Sequence, residues 1–251
     1  DPSITFLNHG SFGSCPHPVQ LVQRSLRDLM EARPIEFLAR ELEERLDVVR
    51  GELGDFLGAP AEDLVFLPNA TYAVNSVLRS FPFDPGDELL VTDHEYNACR
   101  NVLDFVAARA GCKVVVAELP WPVADSQEMV DAVLSRVSDR TRLLLIDHIT
   151  SATALVMPLE RIIPEVQSQG VRVLVDGAHA PGQIELNLNQ LGADYYTGNC
   201  HKWINAPKGA AFLAVPERWQ AEVRPVCISH GANSPRQDRS RFRIEFDWMG
   251  T

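Results

Sequence analysis

Apolar residues recur along this chain with two periods, and the switch between them lays out the elements. From Pro18 onward, Val19, Val22, Leu26 and Leu29 fall on one helical face. After Pro34 a longer helix carries Leu38, Leu42, Leu46, Val49 and Leu53 on one side. Its other side is charged, with Glu41 and Arg45, and Arg40 and Glu44, at i, i+4 spacing, and reads as a solvated face. A short strand over 64–67 turns through Asn69 into a helix bearing Val74, Val77 and Leu78. Strands over 88–92, 113–118 and 142–146 then alternate with helices over 98–110, 127–137 and 159–169. An unbroken apolar strand over 171–175, a short one around 195–196 and a third over 210–215 follow. Near the end, FRIEF (242–246) alternates apolar with polar and predicts one more strand. The pattern predicts an α/β fold, a mainly parallel sheet forming the middle of three layers with helices on both faces.

Composition narrows the partners more than the fold. The 251 residues can bury a sizeable core, and 45% hydrophobic content is ordinary for a soluble globular protein. A formal charge of −11 argues against nucleic acid or an anionic membrane as a general partner. No apolar run approaches the ~20 residues of a membrane span. No signal peptide is visible. Cys15, Cys99, Cys112, Cys200 and Cys227 are scattered without a C-x-x-C pair or zinc spacing, which suits small buried thiols in a reducing, cytoplasmic compartment.

The stretch 171–209, VRVLVDGAHAPGQIELNLNQLGADYYTGNCHKWINAPKG, concentrates the candidate chemistry. A strand buried on both faces delivers Asp176 at its C-terminal end, where open parallel sheets place their ligands. A second strand end carries Asn199, Cys200, His201 and Lys202. A lone aspartate there more often caps a loop, and a lone lysine is usually a solvated charge. Together they suit one chemistry: the amine condenses with an aldehyde while the carboxylate holds a ring nitrogen protonated.

These residues, with GNCHKWINAPKGAAFL as a whole and the opening LNHGSFGSCP, resemble the class V aminotransferase branch of fold-type I pyridoxal-phosphate enzymes, most closely its isopenicillin N epimerase-like subgroup. The resemblance implies pyridoxal 5'-phosphate as cofactor, bound through a Schiff base on Lys202. Asp176 would pair with the pyridinium nitrogen, His179 approach the ring hydroxyl and Ala178 pack beneath the ring. Asn199, His201, Ala70 and Thr71 would hold the phosphate. Tyr96 takes the place of the residue stacked on the ring, usually a histidine in cysteine desulfurases, and this departure argues against a desulfurase. Ser151 aligns near the ring oxygen, with a structural hydroxyl as the alternative. Asn8, His9 and Gly10 of the N-terminal arm would meet the substrate carboxylate, and Thr251 would contact a phosphate across a homodimer. The lowered lysine pKa that this chemistry needs is expected from the Schiff base and nearby cations.

The resemblance divides the chain into an arm (1–17), a large cofactor-binding domain (18–230) and the start of a C-terminal segment (231–251), leaving the small domain incomplete. It implies an enzyme acting at the Cα of a small-molecule amino acid, as an epimerase or as a C–S or β-elimination lyase. Desulfuration and transamination are the alternatives within the family. Two readings of other classes stay open: a metal-dependent hydrolase using Asp147, His148, Asp176, His179 and His201, and a non-catalytic interaction protein.

Overall fold

The computed structural model describes residues 3–249. Residues 3–16 form an arm without helix or strand, followed by helix α1 (His17–Ala32). A short helix α2 (Pro34–Glu36) passes through a wider turn at Phe37–Glu41 into α3 (Leu42–Leu57). Strand β1 (Leu64–Leu67) and helix α4 (Ala70–Ser80) come next, then β2 (Glu88–Thr92), α5 (Asn97–Ala110) and β3 (Lys113–Ala117). Helix α6 (Ser126–Leu134), β4 (Thr141–Asp147), α7 (Leu159–Ser168) and β5 (Arg172–Asp176) continue the alternation. The short helix α8 (Leu188–Leu191), β6 (Tyr195–Asn199), β7 (Ala211–Ala214), α9 (Glu217–Gln220) and α10 (Arg241–Asp247) complete it.

The strands form one sheet in the order β1-β7-β6-β5-β4-β2-β3. Only β7 runs against its neighbours, so the C-terminal ends of the other six strands share one edge. Alternation along each strand feeds two cores. Leu144, Ile146, Val173 and Val175 pack with α6 and α7 on one face, while Leu143, Leu145 and Leu174 pack with α4 and α5 on the other. This is the expected three-layer arrangement. Leu143 to Ile146 are all 0% exposed, which is why β4 reads as an unbroken apolar run rather than an alternating one.

Two expectations change. The segment FRIEF is a helix, α10, not a strand. Five residues with apolar positions at 242, 244 and 246 satisfy both periods, and tertiary packing decides between them. Ser240 caps the helix by accepting from the Arg243 amide at 3.2 Å, and the Phe242 and Phe246 rings meet at 4.8 Å inside the α4/α5 core. The charged side of α3 is also more than a solvated face. Glu41 and Arg45 do pair on the surface at 2.8 Å, but Glu43 and Asp47 bind arginines from the C-terminal stretch. Arg50, fully buried, joins Asp47 and Asp247 at 2.6 Å each and ties α3 to α10. The apolar stripe on α1 forms its helix, yet no residue of α1 is buried. Of the cysteines, Cys99 and Cys200 are buried, Cys15 and Cys112 half-buried and Cys227 exposed.

Candidate active site

The shared sheet edge brings five strand ends to one place. β1 hands over to α4, β2 to the turn before α5, and β4, β5 and β6 end in Asp147, Asp176 and Asn199. They surround a cavity of about 780 Å³. Its lining includes Ala70, Thr71, Tyr96, Ser151, Asp176, Ala178, His179, Asn199, His201 and Lys202, the ten cofactor-site residues that the sequence motifs single out within the described chain. Thr251 lies outside the described residues.

Asp176 is 1% exposed, and its Oδ1 accepts from the Ala178 amide at 2.9 Å while Oδ2 accepts from the Cys99 thiol at 3.2 Å. Burial raises its pKa, and the Ala178 and Cys99 hydrogen bonds and the Lys202 charge pull the other way. The room for this strand end comes partly from Gly177. A Cβ there would collide with the Tyr196 hydroxyl, which is packed directly behind the Asp176 loop.

Lys202 follows β6, and its Nζ lies 3.0 Å from His179 Nε2 and 6.0 Å from the centre of the Tyr96 ring. Burial is what lowers the amine's pKa; the nearby Asp176 and Asp147 carboxylates raise it. The expectation that cations do the lowering is thus corrected. His179 is pushed down to about 4, first by burial and then by the Lys202 charge. Trp203 Nε1 donates to His179 Nδ1 at 3.4 Å. An indole only donates, so Nδ1 accepts and the neutral imidazole carries its proton on Nε2, facing the lysine.

The first turn of α4 forms the opposite wall. Asn69 caps it by accepting from the Tyr72 amide at 2.8 Å, and the Ala70 amide donates to Asn199 Oδ1 at 2.9 Å. The Thr71 amide and hydroxyl take no protein partner among the described residues, and a helix start of this kind suits an anion. His201 Nδ1 is engaged by the Ala210 carbonyl at 2.8 Å, leaving Nε2 free to turn to the cavity.

The arm reaches the same region. Asn8, His9 and Gly10 do not line the cavity but lie beside it. The His9 ring is 5.7 Å from that of Trp203, and a Cβ on Gly10 would approach His179 to 3.1 Å. Phe12 and Lys208, which lie within the quoted motifs without an expected role, line the cavity as well. Lys208 donates to the Gly13 carbonyl at 3.0 Å. Asp147, Glu95, Cys99 and Trp203 join the site without a cofactor role expected from the motifs; the i, i+4 spacing of Glu95 and Cys99 at a helix start is the local signal for that pair.

The hydrolase reading loses its ligand set. His148 turns to the far face, bonding Tyr196 Oη at 2.9 Å. Among the described residues the one metal-capable group of three is Glu95, Cys99 and Asp176, which contains none of the histidines. That reading also leaves Lys202, half-buried at the cavity, without a task.

The chain is similar to known proteins in sequence and in fold. Residues 29–242 match the aminotransferase class-V family. The isopenicillin N epimerase of Amycolatopsis lactamdurans is 39% identical over 249 residues, covering 96% of this chain and 62% of the relative. That of Streptomyces clavuligerus is 33% identical over 235 residues, covering 94% and 59%. An L-cysteine desulfhydrase of Arabidopsis thaliana is 32% identical over 264 residues, covering 99% and 57%. The chain therefore spans about three fifths of the length of the curated relatives it matches. Among solved structures, the cystine C–S lyase C-DES in complex with its product cysteine persulfide superposes with a TM-score of 0.83 at 23% identity, over 96% of this chain and 66% of that one. A cysteine desulfurase from Thermococcus onnurineus NA1 does so with a TM-score of 0.80 at 20% identity, over 97% and 63%. These two share the fold. By the match over most of its length and the epimerase relatives, the chain belongs to the class-V aminotransferase family.

Proposed function

We propose that this chain forms the cofactor-binding part of a pyridoxal-phosphate enzyme that acts at the Cα of an amino acid, as an epimerase or as a C–S or β-elimination lyase. The observation that carries the reading is the pair Asp176 and Lys202, one buried at the end of β5 and the other half-buried just after the adjacent parallel strand β6, both lining one cavity. When bound, the cofactor supplies an electron sink that stabilises negative charge at the substrate Cα.

The residues present fit that group. Asp176, 1% exposed, would hold a ring nitrogen protonated. Lys202, whose pKa is lowered first by burial, would hold the cofactor through its aldehyde carbon and would carry the proton at the substrate Cα. Thr71, His201 and Asn199 would hold the phosphate, and the Ala70 amide, which donates to Asn199 Oδ1, would keep the α4 start in shape for it. Tyr96 would cover one face of the ring, Ala178 would leave room beneath it, and Ser151 and His179 would approach the ring oxygen. Asn8, His9 and Gly10 flank the substrate carboxylate. Thr251 is assigned the phosphate of a partner subunit in a homodimer, and the unpaired cysteines fit a cytoplasmic setting. No helix of the described chain is long and apolar enough to cross a membrane.

Relatives named as epimerases and as cysteine desulfhydrases support both reactions. A protein of the relatives' full length, incubated with single amino acids in deuterated water, separates them. Exchange of the Cα hydrogen with loss of optical purity identifies an epimerase. Release of a 2-oxo acid with sulfide or another β-substituent identifies a lyase. Sulfur transfer to an enzyme thiol would mark a desulfurase, and accumulation of the aminated cofactor would mark a transaminase. No exchange with any amino acid would contradict the reading.

A further inference from the structure

Asp176 does not stand alone at the cavity floor. Asp147 is its in-register neighbour on β4, and alternation puts both on the α4/α5 face of the sheet, the face of Leu145 and Leu174. On the other side, a carboxylate oxygen of Glu95, the Cys99 sulfur and an oxygen of Asp176 lie within 4.8 Å of one another. Three carboxyl groups thus lie close together, with Asp147 and Asp176 buried and Glu95 burying one of its oxygens. The cation acting on Asp147 and Asp176 is Lys202, itself driven toward the neutral amine by burial.

The hydrogen bonds are distributed unequally. Asp176 has a donor on each oxygen, the Ala178 amide and the Cys99 thiol. Asp147, 2% exposed and lining the cavity, has a buried Oδ2 with no partner among the described residues. Glu95 receives the Tyr96 amide on Oε1 at 3.2 Å, and its buried Oε2 has none there either. A buried carboxylate with an unsatisfied oxygen is costly, and two more beside an anion are costlier still. A neutral carboxylic acid has fewer acceptor sites to fill and no charge to oppose its neighbours.

We propose that Glu95 and Asp147 are held as neutral carboxylic acids flanking Asp176, so that the cavity floor presents a single anion to the ring nitrogen. The two acids are positioning residues. Their protons prevent three mutually repelling charges from forming there, and they keep the negative charge on the one carboxylate whose two donors fix its direction. Burial and the neighbouring carboxylates raise the pKa of both acids, as this arrangement requires. The groups facing the pair are Asp176 from β5, Cys99 from α5, the Tyr96 amide just before α5, and Lys202 after β6. Burial and the adjacent carboxylates also push the Cys99 thiol up, so it stays a donor to Asp176.

The inference rests on the cofactor reading for its purpose, and its test has an arm that does not. Infrared spectra of the protein without cofactor, from pH 6 to 9, should contain the carbonyl absorption of neutral carboxylic acids, well above the ~4 at which exposed acids ionise. Glu95→Gln and Asp147→Asn should each remove part of it. With ¹⁵N-labelled pyridoxal phosphate bound, the ring-nitrogen resonance should be the same in wild type, Glu95→Gln and Asp147→Asn, because an amide replaces a neutral acid without a change of charge. Asp176→Asn should move it to the unprotonated position. Absence of the neutral-acid absorption in the wild type would overturn the proposal even if both variants failed to fold. So would a nitrogen shift in either amide variant as large as that of Asp176→Asn. Failure of the labelled cofactor to bind would count against the functional reading instead, and the infrared arm would still decide this one.

Discussion

His179 Nε2 lies 3.0 Å from Lys202 Nζ, with Trp203 fixing the far side of the imidazole. Because Nδ1 is the acceptor for the indole, the hydrogen on Nε2 points at an amine that must be uncharged to receive it. The contact therefore favours the nucleophilic form of Lys202. His179→Ala should shift the pH profile of covalent cofactor attachment upward by about one unit, from the loss of roughly 1 kcal/mol of hydrogen bonding to the neutral amine. Attachment rates measured between pH 6 and 10 check this. An unchanged or lower profile would show that the contact does not tune the lysine.

Asp176→Asn keeps the side-chain shape and the acceptor for Ala178 but loses the charge. Cofactor should still bind, while turnover should fall by about 2 to 4 orders of magnitude, the equivalent of ~3–5 kcal/mol for an unpaired buried partner. Single-turnover kinetics on the full-length enzyme, alongside a cofactor titration, provide the comparison. Near-normal turnover would remove Asp176 from its assigned place.

The arm is held to the lysine loop by an approach that only glycine permits. Gly13 has a φ of +71°, and a Cβ there would collide with the His201 carbonyl oxygen. Gly13→Ala should detach the arm without unfolding the sheet. With ~1–3 kcal/mol of strain to relieve, cleavage of the arm by a nonspecific protease should speed up by at least about fivefold, at an unchanged circular dichroism spectrum. Equal cleavage rates would mean the arm is not anchored at this point.

Much of this is legible in the sequence, for identifiable reasons. The bounds of β1 and β2 follow to the residue because turn residues bracket short apolar runs. Asp176 and Lys202 stand out because each follows such a run. Segment 242–246 misleads because five residues cannot separate the two periods, and what decides, the burial of two phenylalanines in the core on the α4/α5 side of the sheet, is tertiary. The company of Asp176 is hidden for a similar reason. Nothing local ties Asp147 to it; the register between β4 and β5 does. The cause of the lowered Lys202 pKa is equally invisible along the chain, since burial is a property of the assembled cavity.

Acid should weaken this fold through His148. Burial lowers its pKa to about 4, against 6.5 for an exposed histidine. Below pH 6.5 the unfolded chain takes up a proton that the folded one refuses, so stability is full above pH 6.5 and declines as pH falls toward 4. The loss from this residue is roughly 3 kcal/mol at most. His179, lowered to about 4 as well but only half-buried, adds a shallower slope. Buried carboxyls with raised pKa act with the opposite sign. Urea unfolding of wild type and His148→Gln at a series of pH values therefore isolates this contribution: the wild type should lose stability relative to the variant as pH falls from 6.5 toward 4. A variant with the wild-type slope would place the sensitivity elsewhere.

The central claim is that Lys202 is the cofactor's attachment point. The direct measurement is to add pyridoxal phosphate, reduce with borohydride and map the labelled peptide. The account predicts one label, on Lys202, and none in Lys202→Ala. A label on Lys208, whose side chain lines the same cavity, or no stable label at all in the wild type, would contradict it.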